Sequence, residues 1–162
     1  MNRVTHQGLL RLLSYDSASG EMLWRIRRSN FVVAGMQAGN VHPDGYRYIV
    51  IDRDSYKCHR LAWFYVHGVW PIGDIDHING IRDDNRIENL REVSRKGNAQ
   101  NQRNAKTTNK LGVLGVRREK GRYRADITVD GKTLYLGRFT ELEDARDAYI
   151  AAKRRLHSAC TL

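Results

Sequence analysis

Four polar side chains in the middle of the chain have the residue types and spacing of a small phosphodiesterase site. Asp76 and His77 end the short apolar run PIGDIDH, Asn89 follows twelve residues after the histidine, and Asn98 follows nine residues later. Phosphodiester hydrolysis needs a base that deprotonates water and a cation that neutralises charge on the phosphate and the leaving oxygen. Imidazole titrates near neutral pH, so His77 suits the base. Carboxylate and carboxamide oxygens suit Mg²⁺ or Mn²⁺.

The segment DIDHINGIRDDNRIENLREVSRKGNAQNQ, with HRLAW before it, resembles the HNH endonucleases in the variant whose last histidine is replaced by asparagine. The resemblance spans residues 57–102. It implies that His77 is the base, that Asp76 and Asn98 hold one divalent cation, and that Asn89 clasps a loop and orients the histidine. It also implies a DNA endonuclease of phage or homing type that leaves 5′-phosphate and 3′-hydroxyl ends.

Each of these residues also has an ordinary structural interpretation. Asparagines such as Asn89 and Asn98 are common turn formers, and Asn85 is interpreted as a turn residue only. His59 is expected to pack or hydrogen-bond near the site, with direct participation left open. Arg60 fits either a phosphate contact or an exposed charge on a helix face. The combination of spacing and basic surroundings favours the nuclease.

The positive charge of the chain is concentrated in one stretch. The 162 residues carry a net charge of +10, and residues 91–124 hold eleven Lys or Arg against two Glu. A membrane-surface helix would interleave such bases with Leu, Phe or Trp, whereas this stretch is rich in Asn, Gln, Gly and Thr. Double-stranded DNA is therefore the expected partner, with no membrane partner, and Arg95, Lys96 and Arg103 are candidate contacts.

The cysteine content and the absence of long apolar runs argue against disulfide-rich, zinc-binding and membrane-spanning classes of protein. Cys58 and Cys160 are the only two cysteines and form no CxxC pair, so neither a disulfide framework nor a structural zinc site is expected. No charged-then-apolar leader opens the sequence, and no apolar run approaches the ~18 residues of a membrane span. The sequence thus predicts a cytoplasmic protein, in a bacterial host or phage-infected cell. His67 and His157 are expected at the surface.

The pattern of elements predicts an α+β protein whose first domain covers residues 1–104. We expect a helix over 5–14 capped by Thr5, a strand over 21–26, and a hairpin of strands 46–51 and 55–60. A core helix follows over 59–70. Strands at 74–77 and 90–93, then a helix from Ser94 to about residue 102, would form the ββα-metal unit (HNH, His-Me finger) of the nuclease.

After a linker over 105–111, residues 112–162 are predicted to form a three-stranded antiparallel sheet and a helix. The strands are expected at 115–120, 122–129 and 132–139, and Thr140 and Glu143 are expected to form a capping box. GVRREKGRYRADITVDGKTLYLGRF and ELEDARDAY resemble the APETALA2-type DNA-binding domain. The resemblance implies DNA contacts from Arg117, Arg122 and Arg124, while a basic face that touches only phosphates is left open.

Two other functions compete with the endonuclease. One is a regulator that keeps the ββα fold and binds DNA without cutting it, and the other is an RNA-processing nuclease. The presence of every expected catalytic residue argues against the first, and the groove-reading C-terminal module argues against the second. The sequence leaves open whether the protein forms a homodimer.

Overall fold

The structure is a computed structural model that describes residues 4–101, 105, 108–157 and 160. The chain divides into two compact units, Met1–Val93 and Ser94–Leu162. Both combine helices with small antiparallel strands, so the predicted α+β class is confirmed. None of the helices in the described part has the length and apolar character of a membrane span.

The described part of the first unit contains two α-helices, a short 3-10 helix (Ile87–Asn89) and three small antiparallel sheets. Strands β1 (Leu13–Tyr15) and β2 (Met22–Trp24) form one sheet, β3 (Asn40–Val41), β4 (Arg47–Ile51) and β5 (Asp54–Lys57) the second, and β6 (Asp74–His77) and β7 (Leu90–Val93) the third. Helices α1 (His6–Leu12) and α2 (Cys58–His67) pack on each other, and α2 also packs on β4 and β5. Their shared core consists of Leu9, Leu13, Met22, Ile49, Ile51, Leu61, Phe64 and neighbouring residues.

The predicted hairpin and helices of this unit form, but their ends differ from the prediction. The turn is Asp52-Arg53, where both residues have positive φ, and this left-handed pair suits a two-residue hairpin. Helix α2 begins at Cys58, one residue before the predicted start at His59, and the preceding strand therefore ends at Lys57 rather than at the predicted Arg60. It ends at His67 because Gly68 adopts the left-handed conformation (φ 71°) of a helix terminator. Helix α1 begins after Thr5, as predicted, with the Thr5 side chain accepting from the Gly8 amide.

In the second unit, helix α3 (Arg95–Gln100) precedes a sheet of three strands, β8 (Val116–Glu119), β9 (Arg122–Val129) and β10 (Lys132–Phe139), and the long helix α4 (Leu142–Leu156). The strand order is β10-β9-β8, with both neighbouring pairs antiparallel. The Ser94 Oγ accepts from the Gly97 amide at 3.1 Å, which confirms the predicted cap of α3. Ala125 and Ala145 are buried where the sheet packs on α4.

Two predictions for the second unit are wrong. The capping box of Thr140 and Glu143 does not form, because Glu141 occupies the N-cap of α4 and makes no side-chain cap hydrogen bond. Glu143 instead pairs with Arg146 one turn later, at 3.2 Å. His157 is buried rather than exposed, since its Nε2 lies 3.1 Å from the Thr128 carbonyl oxygen on β9.

Candidate active site

The two-stranded ribbon β6–β7 carries the acidic and imidazole side chains of the expected site. Asp76 lies opposite Arg91 and His77 lies opposite Leu90 in its register. Arg91 Nε and Nη2 both donate to Asp76 Oδ2, at 3.0 and 2.8 Å. Successive strand residues project to opposite faces, so Asp76 and His77 diverge along the strand even though they are adjacent at its end.

His77 is enclosed by aromatic rings. The His59 ring stands edge-on to it, with ring centres 5.0 Å apart and planes at 90°. Tyr46 contacts both imidazoles, with centre-to-centre distances of 5.2 Å to His59 and 5.9 Å to His77. Lys57 Nζ lies 4.0 Å from the Tyr46 ring centre, and the Arg82 guanidinium lies 5.1 Å from it. His59 on helix α2 and Tyr46, just before strand β4, therefore pack against the expected base.

Burial keeps both imidazoles neutral. It lowers the pKa of His59 to about 3, with repulsion from the charged form of His77 adding to the effect. Burial also lowers the pKa of His77, although the Asn85 carboxamide and the Asp76 carboxylate oppose it. A neutral imidazole has a nitrogen lone pair that can accept a proton, which is the protonation state that a general base requires.

The loop between β6 and β7 is held closed by Asn89. Its Oδ1 accepts from the Asn79 amide at 3.0 Å, and its Nδ2 donates to the Asp84 carbonyl at 2.8 Å. The Ile78 amide donates to the Asn89 carbonyl at 2.9 Å. The Asn89 side chain thus hydrogen-bonds backbone at the start and in the middle of the loop that follows His77.

Asn98 lies on α3, in the second unit, and its side chain is exposed. Its backbone amide donates to the Ser94 carbonyl at 2.9 Å in the first turn of that helix. In the described part of the chain, no three His, Cys, Asp or Glu side chains lie close enough together to hold a metal ion. The assignment of Asp76 and Asn98 as ligands of one cation stays a prediction.

Residues 56–100 match the family model described as HNH endonuclease. The match supports an HNH nuclease domain and, at the level of the family, an enzyme that acts on DNA. It includes all four residues with which the sequence argument began, Asp76, His77, Asn89 and Asn98. No curated protein and no solved structure matches the chain.

Arg60, one of the basic residues expected to contact DNA, hydrogen-bonds backbone carbonyls within the HNH domain. Its guanidinium donates to the carbonyls of Gly73, at 3.0 Å, and Pro71, at 2.9 Å. These bonds fix the segment that leads into β6. Arg95 and Lys96 belong to α3, and Arg103 lies outside the described residues.

Beyond the HNH match, the outer face of the three-stranded sheet carries a row of three arginines. Arg117, Arg124 and Arg138 lie opposite one another on β8, β9 and β10. Arg124 Nε donates to both carboxylate oxygens of Asp126, each at 3.0 Å, and the guanidinium lies 5.0 Å from the Tyr135 ring centre. The outward position of Arg124, with Ala125 and Ile127 buried on the other side, agrees with the predicted alternation.

Acidic residues are interleaved with this row, and one further arginine stands at its edge. Arg117 lies 3.4 Å from Asp126, and Glu119 pairs with Arg138 and Arg124. Arg122 is exposed at the start of β9. Arg138 was not among the residues predicted to contact DNA, and Tyr46 was not predicted to lie near His77.

We expect His59→Phe to make the stability of the HNH domain less dependent on pH. Burial lowers the pKa of His59 to about 3 in the folded protein, from its ordinary value of 6.5, which applies in the unfolded chain. Between these values the unfolded chain binds a proton that the folded one does not, so the wild type loses stability as the pH falls. The slope is at most about 1.4 kcal/mol per pH unit for this group. Urea unfolding at several pH values between about 5 and 7 measures it.

His67→Phe is the matched control, because His67 is an exposed histidine at the other end of the same helix. This variant should keep the wild-type slope. His77 titrates in the same direction and is present in all three proteins, so only the difference between them reports on His59. An unchanged slope in His59→Phe would show that His59 is not the buried neutral group described here.

Proposed function

We propose that this chain is a divalent-metal-dependent DNA endonuclease in which His77 is the general base. The observation that carries the proposal is a buried, neutral imidazole at the end of β6, next to Asp76, within the segment that matches the HNH endonucleases. A neutral imidazole that packs against His59 and Tyr46 on one side is held in a fixed orientation for proton transfer.

In the proposed reaction, the neutral His77 ring takes a proton from the water that attacks phosphorus. The P–O bond to the 3′ oxygen then breaks and that oxygen takes a proton from solvent water, while His77 releases its own proton to solvent, which leaves 5′-phosphate and 3′-hydroxyl ends. Asn89 keeps the loop after His77 closed, so the imidazole does not have to be ordered in each turnover. The hydrogen bonds of Arg60 to the Pro71 and Gly73 carbonyls fix the approach to β6 in the same way.

Asp76 and Asn98 are the residues we assign to the divalent cation that HNH nucleases generally use. The donor set fits, because a carboxylate and a carboxamide oxygen are hard ligands of the kind Mg²⁺ and Mn²⁺ prefer. Two protein ligands are also few enough for Mg²⁺, which usually keeps several waters and takes the rest of its shell from phosphate. When bound, such a cation supplies positive charge for the phosphate and the leaving oxygen.

The second unit is proposed to hold the DNA through the outer face of its sheet, as an APETALA2-type module would. The support is the row of Arg117, Arg124 and Arg138 with the exposed Arg122 beside it. Asp126 and Glu119 hold these guanidiniums in place, so less side-chain entropy is lost when they contact DNA. A sheet of this width fits the major groove.

Cleavage of supercoiled plasmid, with and without Mg²⁺, tests the endonuclease. We expect conversion to nicked circles that requires the metal and stops on chelation. One active site in one chain cuts one strand, so linear product would imply a second copy or two sequential cuts. A protein that binds the plasmid and leaves it supercoiled at every Mg²⁺ and Mn²⁺ concentration would support the rival function, a DNA-binding regulator that does not cleave.

A further inference from the structure

Two buried polar atoms near the expected base lack hydrogen-bond partners. They are His77 Nε2 and Asn85 Oδ1, and neither is bonded to another atom of the described residues. His77 is 4% exposed and Asn85 is 2% exposed, so water does not readily compensate them. A buried polar atom without a partner destabilises the folded protein, so each one calls for an explanation, of which a catalytic role is one.

The hydrogen bonds of the Asn85 amide nitrogen set the orientation of its side chain. Asn85 Nδ2 donates to the Asp83 carbonyl at 3.0 Å and to Asp83 Oδ1 at 3.3 Å. Because these partners only accept, the nitrogen must face Asp83, and Oδ1 is turned away from it. Arg47 holds the Asp83 carboxylate in turn, with bonds of 3.0 and 2.8 Å.

The Asn85 backbone is fixed from the opposite side. The Tyr15 hydroxyl donates to the Asn85 carbonyl at 2.7 Å. The turn before β2 packs so closely that a Cβ on Gly20 would lie 2.6 Å from the Asn85 carbonyl carbon. A side chain held this firmly in a surface loop is more than a turn former, since turn residues normally keep their side chains in water.

We propose that Asn85 is a positioning residue for His77: its Oδ1 accepts the proton on Nε2 and leaves Nδ1 as the nitrogen that accepts a proton from water. This inference rests on the proposed role of His77 as the base. The two atoms without partners are complementary as donor and acceptor, since an amide oxygen only accepts a hydrogen bond and a protonated ring nitrogen only donates one. In a neutral imidazole, the hydrogen bond at one nitrogen decides which nitrogen remains basic.

The electrostatics of the site agree with this pairing. Burial lowers the pKa of His77, and the nearby Asn85 side chain is the largest influence that opposes it, although the two atoms do not yet have hydrogen-bonding geometry. An acceptor at Nε2 interacts more strongly with the imidazolium than with the neutral ring, so it stabilises the proton after transfer. Asn85 would thus fix the tautomer before the reaction and stabilise the charge that forms on His77 during it.

The tautomer can be measured directly by ¹⁵N NMR of the metal-free protein, with the His77 signals identified by their absence from His77→Ala. We expect Nε2 to carry the proton and Nδ1 to show the shift of an unprotonated ring nitrogen. In Asn85→Leu, which keeps a similar volume but removes the acceptor, we expect a mixture of tautomers. Cleavage by Asn85→Leu should show a kcat about 10–100-fold lower, with KM little changed.

Tyr15→Phe is the control for a loosened loop, because it removes the hydroxyl bonded to the Asn85 carbonyl and leaves the carboxamide intact. It should keep the wild-type tautomer, because the carboxamide that accepts from Nε2 is still present, and its kcat should fall less than that of Asn85→Leu. A wild-type His77 protonated on Nδ1 would overturn the assignment, whether or not Asn85→Leu folds. The NMR result does not depend on cleavage, so an inactive protein with the Nε2 tautomer would contradict the proposed nuclease function and leave the role of Asn85 standing.

Discussion

His77→Ala is expected to abolish plasmid cleavage while DNA binding stays close to that of the wild type. His77 is the only group assigned to proton transfer, and loss of a general base typically slows a reaction about 10²–10⁴-fold. The DNA-binding face is assigned to the other unit, on β8, β9 and β10, so the affinity should not depend on the imidazole. Single-turnover cleavage and a binding titration on the same plasmid fragment separate the two effects.

Because His77 is buried against His59 and Tyr46, the alanine variant must also be shown to fold. Its circular dichroism and unfolding midpoint serve for this, and His77→Gln, which fills more of the space, should be equally inactive. His67→Ala removes an exposed histidine from the C-terminal turn of α2 and should cleave at the wild-type rate. Cleavage by a folded His77→Ala protein at the wild-type rate would refute the assignment of the base.

Local sequence signals predicted the sheet of the second unit closely. Strands β9 and β10 have the predicted ends because Asp130-Gly131 forms a two-residue turn in which both residues take positive φ. Gly and Asp tolerate that conformation, so the turn position is encoded by two adjacent residues. The strands β6 and β7 were predicted with equal accuracy from their short apolar runs between loop residues.

The sequence did not reveal Arg138, because a bulge decides which face it occupies. Tyr135 pairs with Asp126, but an irregularity before Gly137 shifts the register so that Arg138, rather than Gly137, lies opposite Arg124. Simple alternation from the turn would have put Arg138 on the opposite face. A bulge of this kind has a weak sequence signal, although a glycine inside a strand, here with φ 145°, is one sign of it.

Tertiary packing determined where helix α2 begins. The sequence predicted both a strand through Arg60 and a helix from His59, and Cys58 to Arg60 form the first turn of α2, because Cys58, Leu61 and Ala62 reach the core at helical spacing. That turn is what brings His59 to 5.0 Å from His77. Likewise, Asn85 looked like a turn former, and only its burial and its fixed amide distinguish it from one.

The affinity for duplex DNA should fall steeply with salt. Residues 91–124 hold eleven Lys or Arg against two Glu, and each phosphate they neutralise releases a condensed counterion. If about six to eight of them contact phosphates, the affinity should fall about 10³–10⁵-fold between roughly 50 and 200 mM salt. Fluorescence anisotropy with a labelled duplex at a series of salt concentrations gives the slope of log K against log salt.

The arginines of this stretch are not expected to contribute equally to the salt dependence, because some of them already form ion pairs with carboxylates. Arg124 is held by Asp126, so its contact is better suited to a base edge than to a phosphate. Arg124→Ala should therefore cost about 1–3 kcal/mol of binding free energy, with little change in the slope of log K against log salt.

Arg122 is exposed and forms no ion pair with another described residue. Its replacement by Ala should reduce the slope by about one. An affinity that hardly changes with salt would rule out a polyanionic partner, and equal slope changes in both variants would mean that the sheet contacts only phosphates.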